Sequence, residues 1–301
     1  MDVQETRPRS FVPGAILAGA LVAAGIVGLA IIFRAPTKPT PDSQRIPAIK
    51  LEAPAPFDYA SFSRVLEKRV NDLGMVDYAG IKAAPADLDA FIAQLKEDSP
   101  DNNLAMFASE DEALAYWINA YNAWMIKIIA DHYPVASVQD IGDRPGAVFE
   151  DKLCVCGGKK MSLNDIEVGI IRARYLEPRI HFALNCASLG CPPLPRKPFL
   201  PDTLDAQLEA AARDFFGRKW YCRVADDGRT VAVTSILDWY REDFLDWLTE
   251  NGQNSDIATY VALYAPDEVR RAIATGAEIE FMDYDWRLTD QAATWANVQR
   301  R

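Results

Sequence analysis

Apolar positions recur at helical spacing from Phe57 to Leu73 (Phe62, Val65, Leu66, Val70), and Asn71 with Gly74 ends that run. A second short helix is predicted from Ala86 to Leu95. Ser109 and Glu112 stand at capping-box spacing and open a run that Pro134 closes. That run is apolar almost all round, which predicts a centrally buried helix. Leu153 to Cys156 reads as a short strand turned by Gly157 and Gly158. Ser162 can cap a helix to about Arg174, with Asp165 in its first turn. Strands are predicted over Arg179 to Cys186, Thr230 to Thr234 and Glu278 to Trp286. Helices are predicted over Leu204 to Phe216, Ile236 to Leu248 and Ile257 to Ala274, the last interrupted by Pro266. Strands this few and this scattered among helices predict an α+β fold, a small mostly antiparallel sheet packed on helices.

The start of the chain follows another pattern. After a short tail, residues 1–13, residues 14–33 form twenty consecutive positions without a charge. At about 1.5 Å rise per residue they reach roughly 30 Å, the thickness of a bilayer's hydrocarbon core. The run exceeds the h-region of a cleaved signal peptide and no clear A-x-A site follows, so an uncleaved signal anchor is expected. Residues 34–56 carry six prolines and read as a semi-rigid spacer. The folded domain is expected over 57–297. The basic residues flanking the span are nearly balanced, and a short tail inside with a large domain outside is the arrangement preferred. The expectation is therefore a single-pass inner-membrane protein with a periplasmic domain and the lipid bilayer as a partner through residues 14–33.

Composition narrows the function classes. The 301 residues are 50% hydrophobic and 25% charged, with a formal net charge of −11. That excludes wholesale disorder and argues against nucleic acid as a partner. His132 and His181 are the sole histidines, so a multi-histidine metal site is excluded, and the C-x-C and C-x₄-C spacings support zinc weakly. No metal and no cofactor are expected.

Several polar residues fall on apolar faces. Glu167 lies among Leu163, Ile166, Ile170 and Ile171, where a carboxylate is costly without a partner. It pairs with Arg172, Arg174 or Arg179, is only half buried, or orients a histidine. On the strand expected at 180–186, His181, Ala183 and Asn185 point one way, leaving room for a ligand or a side chain. His132, at a helix end, reads as a capping group. Asn119 and Asn122 share one side of the buried helix, where they line a pocket or tie the helix to a loop. Of the five cysteines, Cys186 and Cys191 bracket a short loop that closes a disulfide, holds a reactive thiolate, or does neither.

The segments YWINAYNAWMI (116–126), GGKKMSLNDIEVGIIR (157–172), RIHFALNCASLGCPPL (179–194), SILDWYREDF (235–244) and FMDYDWRLTD (281–290) resemble, in order, the motifs of the domain-of-unknown-function family 547, DUF547. The chain looks like a bacterial, membrane-anchored member of it. Val168 stands where that family often has a histidine, and Thr289 where it commonly has an asparagine. The resemblance implies no settled activity. It implies at most a distant likeness to papain-like and transglutaminase-like folds, although the long helix carries no cysteine, which leaves Cys186 as the candidate thiol.

Three functions follow as expectations. The first is a thiol-dependent hydrolase or transferase with Cys186 as nucleophile, His181 as base and Glu167 as orienter. The second is a non-catalytic envelope module that binds a small molecule or a protein around His181, with Asn119, Asn122 and Asn185 at the wall. The third is a thiol–disulfide redox protein using Cys186 and Cys191.

Overall fold

The computed structural model describes residues 55–292. The expected tail, membrane span and most of the proline-rich spacer lie outside the described residues, as do the last positions of the expected domain. Among the described residues no helix is long and apolar enough to cross a membrane.

Among the described residues, two hydrophobic cores organise the fold. The first is built around one helix. Helices α1 (Ala60–Arg69), α2 (Tyr78–Ala83) and α3 (Ala86–Glu97) pack around one another and on α4 (Glu110–His132). The predicted capping box starts α4: Ser109 Oγ accepts from the Glu112 amide, and the Glu112 carboxylate accepts from the Ser109 amide. His132 closes it, its Nδ1 2.8 Å from the Ile128 carbonyl oxygen. α4 buries residues on every side, from Trp117 and Ile118 to Tyr121 and Met125, as its apolar sequence requires. A short helix α5 (Ala147–Glu150), a hairpin of β1 (Cys154–Cys156) and β2 (Lys159–Met161), and helix α6 (Leu163–Ile166) complete this half. Ser162 and Asp165 form a second capping box on α6. The helix then widens into a π-helical turn over Glu167–Arg172.

The second core gathers Phe182, Phe215, Phe216, Phe244, Tyr260 and their neighbours. It lies among α7 (Leu204–Gly217), strands β3 (Cys222–Val224) and β4 (Thr230–Thr234), helices α8 (Ile236–Trp239), α9 (Arg241–Glu250), α10 (Ile257–Tyr264) and α11 (Asp267–Ala274), and strand β5 (Glu278–Met282). Burying each such aromatic ring contributes about 1.5–3 kcal/mol. β3 pairs antiparallel with β4, and β5 pairs parallel with β4. The fold is α+β as expected, and among the described strands β4 and β5 pair in parallel while the other strand pairs are antiparallel.

One expectation changes in kind. Residues Pro178–Phe182 form a 3₁₀ helix followed by irregular chain, not the strand expected over Arg179 to Cys186. The reason lies in where the side chains go. Ile180, Ala183 and Leu184 enter the first core while Phe182 enters the second. A two-fold alternation between a core face and an open face does not describe a segment wedged between two cores. No neighbouring strand supplies its hydrogen bonds; the Ala183 and Leu184 amides bond back to the Ile180 carbonyl instead. The papain-like arrangement, with the histidine on the sheet, is therefore not what these residues build.

Candidate functional site

The wedge segment forms one wall of a cleft of about 440 Å³. Its polar lining includes Glu167, His181, Cys186 and Tyr121; Phe149, Trp239, Tyr240, Tyr284 and Trp286 supply the rings. Each comes from an element already described. Tyr121 projects from the buried α4, Glu167 from the first π turn after α6, and Trp239 and Tyr240 from the corner between α8 and α9.

The far wall follows β5. Residues after Met282 leave the sheet and run beside the wedge, where the Leu189 and Gly190 amides donate to the carbonyls of Arg287 and Asp285, and the Thr289 amide donates to Ala187. On the other side Ser137 Oγ donates to the Trp286 carbonyl at 2.7 Å. This holds Tyr284 and Trp286 against the cleft, with ring centroids 4.6 Å apart; Trp239 lies 4.7 Å from Tyr284 and stacks on Trp286 at 6.0 Å. A β-carbon at Gly190 would come within 2.7 Å of the Tyr284 ring, so glycine is required for that approach.

His181 is fixed from two sides. Its Nε2 donates to Asp243 Oδ2 at 2.7 Å, and its ring stacks on Tyr240 with centroids 4.0 Å apart. Arg172 donates to the same carboxylate through Nε at 2.6 Å and Nη2 at 2.9 Å, and lies over the other ring neighbour, Tyr240, at 5.0 Å. Asp243 sits in the first turn of α9, where the helix dipole favours an anion. Burial raises its carboxyl pKa, but the hydrogen bonds and charges of His181 and Arg172 outweigh burial and hold it well below the usual carboxylate range.

Asp243, and not Glu167, is thus the carboxylate that holds the histidine. Glu167 is 7% exposed and lines the cleft. Burial, followed by the charge of Glu167 and hydrogen bonding to it, pushes the Tyr121 and Tyr240 phenols well above their ordinary value, so both remain donors toward it. None of the three arginines weighed for Glu167 pairs with it: Arg172 is held by Asp243, Arg174 by Asp101 and Arg179 by Glu177 and Asp205.

Cys186 is bonded to Cys191, with the α-carbons 6.1 Å apart. In this oxidation state Cys186 is not a nucleophile. Tyr284 Oη lies 3.0 Å from each sulfur. Burial first, then the charges of Tyr221, Tyr240 and Glu167, raises the Tyr284 pKa well above the ordinary phenol, which keeps the proton that it donates. Ala187, inside the disulfide loop, has φ of 64°, an uncommon conformation for a residue with a β-carbon.

The three asparagines do not line the cleft; they tie backbone behind it. Asn119 Nδ2 donates to the Phe199 carbonyl at 2.6 Å and its Oδ1 accepts from the Phe199 amide at 3.0 Å. Asn122 does the same for the wedge, donating to Ala183 at 2.9 Å and accepting from the Asn185 amide at 2.8 Å. Asn185 spans the disulfide loop, donating to the Pro192 carbonyl and accepting from the Ala187 amide. Among the described residues no group of three His, Cys, Asp or Glu side chains is placed to hold a metal ion.

The structure adds Tyr240, Asp243, Tyr284 and Trp286, to which sequence reasoning assigned no role. All four lie in the segments 235–244 and 281–290, which stood out in the sequence only by resemblance. Val168 is 46% exposed, whereas Thr289 is buried and bonded to Tyr78 and the Ala187 carbonyl.

The arrangement defines an α+β domain with a concave aromatic site around an anchored histidine and a disulfide. Residues 106–216, which supply α4, the π turn, the wedge and α7, match the family described as Protein of unknown function, DUF547. No curated protein and no solved structure matches the chain.

Proposed function

We propose that the domain is a binding module that takes a small organic ligand into this cleft, and that residues 14–33 tether it to a membrane on the periplasmic side. One observation carries the binding reading: a cleft of about 440 Å³, walled by aromatic rings and by polar groups, Gln139, Asn164, Glu167 and His181 among them. This volume falls within the roughly 300–1,000 Å³ typical of small-molecule sites, which likewise combine apolar walls with polar groups. The test is a thermal-shift screen of a small-molecule library against the full chain and Trp239→Ala. A ligand at about 100 times its Kd adds roughly 2.7 kcal/mol to folding stability, a readily measured rise in Tm. The reading expects compounds that raise the wild-type Tm and lose that effect in Trp239→Ala. A screen without such compounds overturns it.

Thiol chemistry is the second reading, favoured by the position of Cys186, Cys191 and His181 on one cleft wall. In its redox form the Cys186–Cys191 bond exchanges with a substrate thiol; in its hydrolase or transferase form Cys186 acts after reduction, with His181 and Glu167 lining the same cleft. Cys191→Ser leaves Cys186 free and separates the readings. If the site is catalytic, iodoacetamide labels Cys186 in that variant much faster than an ordinary thiol at pH 7, and His181→Ala removes the advantage. If the cleft only binds, labelling is slow in both.

A further inference from the structure

The charged groups around the cleft differ in their partners. Asp243 is shared by Arg172, through two bonds, and by His181, and Glu150 is matched by Arg144. Glu167 has neither kind of tie. It is buried, it faces the cleft, and among the described residues no lysine or arginine is bonded to it. Arg172 feels its charge, but the guanidinium is committed to Asp243 and to the face of Tyr240. No lysine or arginine lines the cleft. Two phenol donors from Tyr121 and Tyr240 soften the cost of the buried anion without neutralising it.

The same cleft is lined by the rings of Trp239, Tyr240, Tyr284 and Trp286. An aromatic face carries negative electrostatic potential and attracts a cation within about 6 Å of its centroid. Trp239 is 50% exposed and stacks on Trp286, so the rings present a face to an incoming molecule and are not sealed in a core. A buried carboxylate and electron-rich rings lining one cleft favour the same kind of guest.

We infer that the cleft recognises an organic cation, an ammonium group on an apolar body, with Glu167 as its counter-ion and the Trp239, Tyr284 and Trp286 rings as its cage. The inference rests on the ligand-cleft reading and names the ligand's chemical class. The ammonium replaces the missing positive charge, and its hydrocarbon portion covers aromatic surface that otherwise faces water.

The probes are benzylammonium, benzyl alcohol and benzoate, three molecules of similar shape that differ in charge. Each is titrated into the full chain at pH 7 while tryptophan fluorescence is followed, since Trp239 and Trp286 lie in the wall. Benzylammonium should bind at least about tenfold more tightly than benzyl alcohol, corresponding to about 1.4 kcal/mol, and benzoate should bind most weakly. Glu167→Gln should remove the advantage of benzylammonium over benzyl alcohol. The wild-type order of the three probes is itself a test, so the inference stays falsifiable if that variant does not fold. Equal wild-type affinities for benzylammonium and benzyl alcohol, or a preference that survives Glu167→Gln, overturn the cation inference while leaving a binding cleft. Absence of saturable binding by all three overturns both.

Discussion

Replacing Asp243 by asparagine tests whether the Arg172–Asp243–His181 triad holds the second core to the wedge. The change keeps the shape and removes the charge. Three hydrogen bonds converge on the carboxylate, two from Arg172 and one from His181. An asparagine retains one acceptor oxygen and turns its amide group toward a donor. A hydrogen bond to a charged group contributes roughly 1.5–3 kcal/mol, and removing one partner of a buried pair costs about 3–5 kcal/mol. The Asp243 side chain is 25% exposed, which weakens these terms, so the expected loss is about 2–4 kcal/mol. Urea unfolding followed by tryptophan fluorescence should show the midpoint lowered by roughly 1 M, given a slope of about 2–3 kcal/mol/M. The acid dependence provides an independent check of sign. The folded carboxyl lies below the ordinary aspartate value of 3.8, so the unfolded chain takes up the proton first. The stability that Asp243 contributes is complete above that value and is lost as pH falls through the depressed folded one. The difference between wild type and Asp243→Asn should therefore narrow as pH is lowered beneath 3.8. A midpoint shift under about 0.3 M at neutral pH, or a difference that widens in acid, refutes the reasoning.

Asn122→Ala strands the buried Ala183 carbonyl and Asn185 amide, and should cost about 2–3 kcal/mol in the same urea assay. Gly190→Ala drives a methyl group into the Tyr284 ring, and should cost about 1–3 kcal/mol and change the near-ultraviolet circular dichroism of the cleft aromatics. Replacing Cys186 and Cys191 together by serine opens a short loop whose closure is worth about 2 kcal/mol; calorimetry should show a lower Tm, whereas ligand binding at the rings should persist.

Much of the architecture is written in local patterns. The capping boxes at Ser109 and Ser162, the all-round apolar run of α4 and the break at Pro266 each act within a few residues of themselves, and each is found where the pattern puts it. The wedge is different. Its alternating apolar residues read as a strand, but the alternation serves two cores on opposite sides, a fact set by contacts with α7 and α4 far along the chain. The same distance hides half of the site. Glu167 and His181 stand out as polar groups in apolar runs, and Cys186 stands out through its short loop with Cys191. Asp243 does not, since an acid in a helix's first turn is ordinary. Its tie to His181 spans 62 residues and has no local signature. Tyr284 and Trp286 likewise read as core aromatics until the closing segment lays them against the wedge.

That closing segment also imposes an order on biosynthesis. The loop that carries Cys186 and Cys191 takes its backbone partners from Asp285, Arg287 and Thr289, and the bond between Thr289 and Ala187 joins residues 102 positions apart. At roughly 5–20 residues per second the ribosome needs about 5–20 s to make that stretch. Through this interval the nascent chain holds two cysteines without the strap or the Tyr284 hydroxyl that later adjoin them. Whatever oxidises the pair during translation meets an open loop; after translation it meets a finished wall.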